Sequence, residues 1–138
     1  MNPCYDDQKY QQSVARSGAY LGYDMIGMQY RFPTRTWATS GAEYSPDTAS
    51  SHSTFFQCPS DSESASGILA LIEAGFQDNI LMSHDHFTKT QLKNYGGGGY
   101  AYILRYFLPL LKQLGVPDET INGILVDNCA RFLAFKAA

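Results

Sequence analysis

Apolar residues along the chain fall into short clusters separated by polar and glycine-rich stretches, and the spacing inside each cluster predicts its element. From Pro3 to Arg16 the chain carries Asp6 and Asp7 early and Arg16 late, the charge order that complements a helix dipole, and Gly18 follows as a stop signal. "AYLGYDMIG", residues 19–27, is apolar and aromatic but too short for a helix before Gly27, which predicts a strand. "ASGILALIEAG", residues 65–75, sets Ile68, Leu71 and Ile72 at i, i+3, i+4 and closes on Gly75, the pattern of a helix with a glycine cap. "NILMSHD", residues 79–85, predicts a second strand, and "YAYILRYFLPLLKQLG", residues 100–115, a strongly apolar helix kinked at Pro109. Pro117 with Asp118 and Glu119 behind it starts a further helix, and a last short one is expected from Asn128, as its cap, to Phe135.

From Phe32 to about Ser64 neither period is sustained, and Ser, Thr, Pro, Gly and Asp dominate. The stretch reads as a long loop, which in a compact domain is usually functional or disordered. Helices alternating with strands imply parallel strands covered by helices. Only two convincing strands are present, however, and two parallel strands leave faces and edges uncovered. The chain therefore reads as part of a larger α/β sheet, or as a module whose edges pair with a partner or with copies of itself.

Composition narrows the class. With 138 residues, 44% of them hydrophobic, the chain has the size and apolar content of one domain, residues 1–138. Ten basic against thirteen acidic residues, with no basic stripe, exclude a nucleic-acid partner. Cys4, Cys58 and Cys129 lie far apart in no CxxC spacing and read as incidental thiols. The first residues lack the basic and apolar regions of a secretory signal, and no apolar run approaches the roughly 20 residues that cross a bilayer, so a cytoplasmic protein is the expectation.

Chemistry concentrates where the second strand ends, at His84, Asp85 and His86. Side chains alternate along a strand, so Ile80, Met82, His84 and His86 share one side while Leu81, Ser83 and Asp85 share the other. The three polar residues cannot converge on one ion while the strand stays regular. His84, in aliphatic company, reads as a hydrogen-bonded core residue, the direction of His86 is open, and Asp85 at the carboxyl end of the strand is the candidate site residue. The four glycines 96–99 lead into a helix, but without a P-loop Lys or a GxGxxG spacing they read as a flexible loop.

Several stretches together resemble the C-terminal part of the phosphotriesterase family, metal-dependent hydrolases of the amidohydrolase superfamily on a (β/α)8 TIM barrel. They are "NPCYDDQKY" leading into "SGAYLGYDMIG", then "ALIEAGFQDNILMSHD", "YGGGGYAYILRYFLPLLKQLGV" and "DETINGILVDNCARFLAF", in the family's order. The resemblance implies that "AYLGYDMI" and "ILMSHD" are barrel strands seven and eight with flanking helices, incomplete as a barrel. It implies that Asp85 ligates one of two divalent ions, zinc by expectation, and exchanges a proton with the hydroxide that attacks a phosphotriester, ester or lactone. Asp24 matches an aspartate at the end of strand seven; Met25 stands where some members have a histidine. Tyr30, Arg31, Phe32, Arg35, Trp37 and His86 are pocket candidates.

The family's remaining ligands, an HxH pair on strand one, a bridging residue on strand four and histidines on strands five and six, have no match here. His84 and His86 are not that HxH pair, and Asn128-Cys129 replaces the usual Asn-Pro. The expectation is a chain that starts just after its last histidine ligand and is inactive alone. A non-catalytic fragment or interaction module is the alternative, and a small metal protein built on His84, Asp85 and His86 is a third reading.

Overall fold

A computed structural model of the chain describes residues 6–28, 31–33 and 55–135, with side chains placed in 6–28 and 58–135. Its centre is a two-stranded parallel sheet. β1 (Leu21–Tyr23) pairs with β4 (Ile80–Met82) in the register Leu21 with Ile80, Gly22 with Leu81 and Tyr23 with Met82. Parallel strands need a crossover, and α2 (Asp61–Glu73) lies between them in the chain.

Each helix starts and stops for a local reason. α1 (Gln8–Arg16) begins where the Asp7 carboxylate accepts from Tyr10 N at 2.9 Å, a shorter helix than the stretch from Pro3, whose first residues lie outside the described ones. α2 begins at Asp61, inside the stretch read as loop, because Ser60 and Glu63 form a reciprocal capping box. It ends at Gly75 with φ 83°, where Gly75 N reaches Ile72 O and Phe76 N reaches Leu71 O, the paired bonds of a Schellman cap. Earlier in that same stretch, β2 (Arg31–Pro33) and β3 (Phe55–Gln57) pair antiparallel, a feature that three-residue segments are too short to show by period.

Two helices are wider than an α-helix for one turn. A π-turn over Ile103–Phe107 runs straight into α3 (Leu108–Gln113), so Pro109 stands in the first turn of α3. A second π-turn, Gly123–Asp127, joins α4 (Asp118–Asn122) to α5 (Asn128–Leu133) as one continuous helix. Asn128 is thus no cap. Its backbone is helical and its buried amide donates to Gln77 O at 2.8 Å and Ile80 O at 2.7 Å, tying this helix to the entry of β4.

The core lies between the sheet and the helices. Leu21, Tyr23 and Ile80 point into it and meet Ala15, Ile68, Leu71, Phe107, Leu111 and Ile124. Gly22 and Leu81, on the opposite face, are only half-buried and border a shallow groove of about 260 Å³ with Cys129, Phe132 and Leu133. Among the described residues no helix is long and apolar enough to cross a membrane.

Candidate functional site

Both strands end at the same side of the molecule, and the ladder runs on past β4 by two bonds, Ser83 N to Tyr23 O at 2.9 Å and Ile26 N to Ser83 O at 3.2 Å. Asp24 and Asp85 follow these ends, and both are exposed. Beyond Ser83 the extended conformation stops. Asp85 has φ 47°, and it is the one non-glycine residue with positive φ among the described residues.

Strand alternation therefore does not decide where Asp85 points, as the sequence reading assumed, because the strand is over before it. His84 is hydrogen-bonded, as expected, but half-buried and outside the core cluster. Its Nε2 accepts from Ile103 N at 3.0 Å, at the start of the helix after β4. That bond needs a lone pair on Nε2, so it is made by the neutral ring. Burial lowers the His84 pKa from its ordinary 6.5, and the neighbouring His86 lowers it further.

His86 turns to the same side as His84, with ring centroids 5.0 Å apart edge to face, and stacks on Tyr100 at 4.5 Å. Its Nε2 is buried with no hydrogen-bond partner among the described residues. The two histidines border a cavity of about 210 Å³ with Ile26, Gly27, Gln91 and Tyr102; Asp85 is not in its lining.

The loop from Phe87 to Gly99 is tightly built. A Cβ at Gly97 would stand 2.3 Å from the Gln91 carbonyl, and one at Gly98 2.0 Å from the Tyr102 ring. These glycines are needed for close approach, where the sequence suggested a flexible loop. Gly27 approaches the Cδ1–Cε1 edge of Tyr102 and Gly98 the Cδ2–Cε2 edge, and the Tyr102 hydroxyl donates to Asp61 Oδ2 at 2.7 Å while Asp61 Oδ1 accepts from Gly27 N at 2.9 Å. This network joins the exit of β1 and the start of the helix after the glycine loop to the start of α2. Burial and the Asp61 carboxylate push the Tyr102 pKa up, so the phenol stays protonated and donating.

Gln91 was not singled out from sequence, although Thr88-x-x-Gln91 has the spacing of a capping box. Its buried side chain gathers the backbone on both sides of Asp85. Of the pocket candidates, Tyr30, Arg35 and Trp37 lie outside the described residues, as do the side chains of Arg31 and Phe32; the Arg31 backbone belongs to β2.

No group of three or more His, Cys, Asp or Glu side chains among the described residues could hold a metal ion, which removes the small metal protein built on His84, Asp85 and His86. Asp85 by itself fits a divalent ion as a single donor. It is an exposed carboxylate at a strand terminus, with a loop locked behind it and no hydrogen-bond or ion-pair partner among the described residues.

Residues 3–133 match the family model described as the phosphotriesterase family. An N-acetyltaurine hydrolase of Salmo salar is 34% identical over 122 residues, which cover 88% of this chain and 30% of that protein. A resiniferatoxin-binding protein from Rhodobacter sphaeroides superposes with a TM-score of 0.75 at 39% identity, over 95% of this chain and 31% of that one. A lactonase from Listeria monocytogenes superposes with a TM-score of 0.63 at 27% identity, over 94% of this chain and 33% of that one. The chain thus spans 28–32% of the length of the curated relatives it matches.

Proposed function

Because the chain belongs to the phosphotriesterase family, we propose that it carries the strand-seven and strand-eight part of a metal-dependent hydrolase site, the C-terminal portion of a (β/α)8 barrel. The substrate is a small molecule with a hydrolysable phosphotriester, ester, lactone or amide bond, the last on the likeness to N-acetyltaurine hydrolases. One observation carries this reading: an exposed, left-handed Asp85 at the carboxyl end of a parallel strand, beside the end of a second strand that bears Asp24. Carboxyl ends of parallel strands are where barrels and open sheets collect catalytic groups.

Asp85 would hold a divalent ion, zinc by family resemblance, together with donors that the described residues do not supply. Such an ion, when bound, supplies a Lewis acid and makes water acidic enough to attack near neutral pH. The Asp85 carboxylate then has two tasks, to anchor the cation and to accept the proton that the attacking water gives up. Asp24 adds negative charge at the adjacent strand end. His84, neutral and committed to Ile103, supports the loop and takes no proton.

The experiment is complementation. The chain is combined with the remaining two-thirds of a family barrel and a divalent metal, and hydrolysis of a phosphotriester, a lactone and an N-acyl amine is followed. Turnover is expected in the combination and to be lost with Asp85→Asn, whereas the chain alone gives no rate above free metal. Full turnover by Asp85→Asn, or by the chain alone, would overturn the proposal.

A further inference from the structure

We infer that Gln91 is the positioning residue that holds Asp85 in its working orientation, through both ends of one buried amide. The inference rests on the reading of Asp85 as the metal-binding and proton-accepting carboxylate. Asp85 sits at φ 47°, a region that L side chains rarely occupy. A residue kept there is held by its surroundings, and such residues cluster at functional sites.

The hold is explicit. Gln91 Nε2 donates to Asp85 O at 3.0 Å and to His84 O at 3.3 Å. Gln91 Oε1 accepts from Phe87 N at 2.9 Å, from Thr88 N at 2.8 Å and from the Thr88 hydroxyl at 3.0 Å. One side chain thus spans the residue before Asp85, Asp85 itself and the two residues that follow Phe87's neighbour His86, with both amide groups in use. Gln91 in turn is fixed from behind, because it is 6% exposed, Gly99 N donates to its carbonyl at 2.9 Å, and Gly97 packs against it too closely for any side chain.

None of these bonds reaches the Asp85 carboxylate, so Gln91 acts only through the backbone. Without Nε2, two carbonyls lose their donor, and the chain between β4 and Thr88 is free to relax to an extended conformation. The carboxylate then swings away from its present direction.

Nuclear magnetic resonance on the labelled chain tests this with two variants. Gln91→Glu keeps the size and the acceptor but removes the donor; Gln91→Met removes both. In Gln91→Glu the Asp85 couplings and carbon shifts are expected to leave left-handed values, while the Phe87 and Thr88 amides stay protected. In Gln91→Met that protection is lost as well, and in both variants the Ile80 and Ile103 amides remain as in the parent, which a general loss of structure would not allow. Paramagnetic Mn²⁺ alone is the probe of the carboxylate. Line broadening centred on Asp85 is expected in the parent and lost in both Gln91 variants, and also in Asp85→Asn, whose backbone signals stay left-handed. Left-handed Asp85 signals in folded Gln91→Glu or Gln91→Met would overturn the positioning role. Absence of Mn²⁺ broadening at Asp85 in the parent, with its backbone still responding to Gln91, would instead overturn the metal-ligand reading and leave the backbone hold standing. If Gln91→Met does not fold, Gln91→Glu decides.

Discussion

At the scale of single residues, the site region depends on groups kept in one protonation state. His84 accepts a backbone N–H at Nε2, and burial followed by the charge of His86 lowers its pKa below 6.5. A base whose folded pKa is depressed stabilises the fold above its unfolded pKa, and that contribution is lost as pH falls through the folded value. The urea midpoint, measured with chelator present, is therefore expected to fall as the pH drops below 6.5, and His84→Gln should flatten this dependence. An unchanged slope in His84→Gln would show that other groups carry it. The hydrogen-bonded, neutral state of His84 fits its partial burial, which disfavours the charged ring.

Elements are joined here by polar side chains working at their ends. Asn128, 1% exposed in the middle of a continuous helix, donates to two carbonyls at the entry of β4, and its own oxygen accepts from Arg131. Asn128→Ala leaves both carbonyls without their donor in a buried place, which is expected to cost about 2–3 kcal/mol. The change should appear as a lower denaturant midpoint with an unchanged slope. A loss below about 0.5 kcal/mol would mean that water replaces the amide. The sequence offered Asn128 as a helix cap, since asparagine before an apolar run has that meaning locally. It could not show the π-turn over Gly123–Asp127 that carries the helix through this point, nor the strand end that the amide reaches.

For the whole molecule, two parallel strands are a small centre. Among the described residues β1 and β4 form a sheet of two strands. Beside them the groove at Leu81 and Met82 is flanked by Phe132 and Leu133, which are 56% and 71% exposed. Exposed apolar side chains gathered at one groove favour association. The chain alone is expected to sediment as a concentration-dependent assembly, and Leu81→Lys should shift it toward monomer. A monomer at every concentration would count against this expectation.

Local patterns in the sequence determined the alternation of helices with β1 and β4, the parallel pair they form and the stops at Gly75 and Gly115, and they raised Asp85 as a candidate. These rest on period, glycine and charge order, which act over a few residues. Tertiary structure decided the rest. It set the left-handed turn at Asp85, the buried amide of Gln91 that spans it, and the Tyr102 clasp between Gly27 and Gly98. Each of these depends on groups brought together by packing, some of them 34 or 41 residues apart in the chain, and no local period records such a meeting.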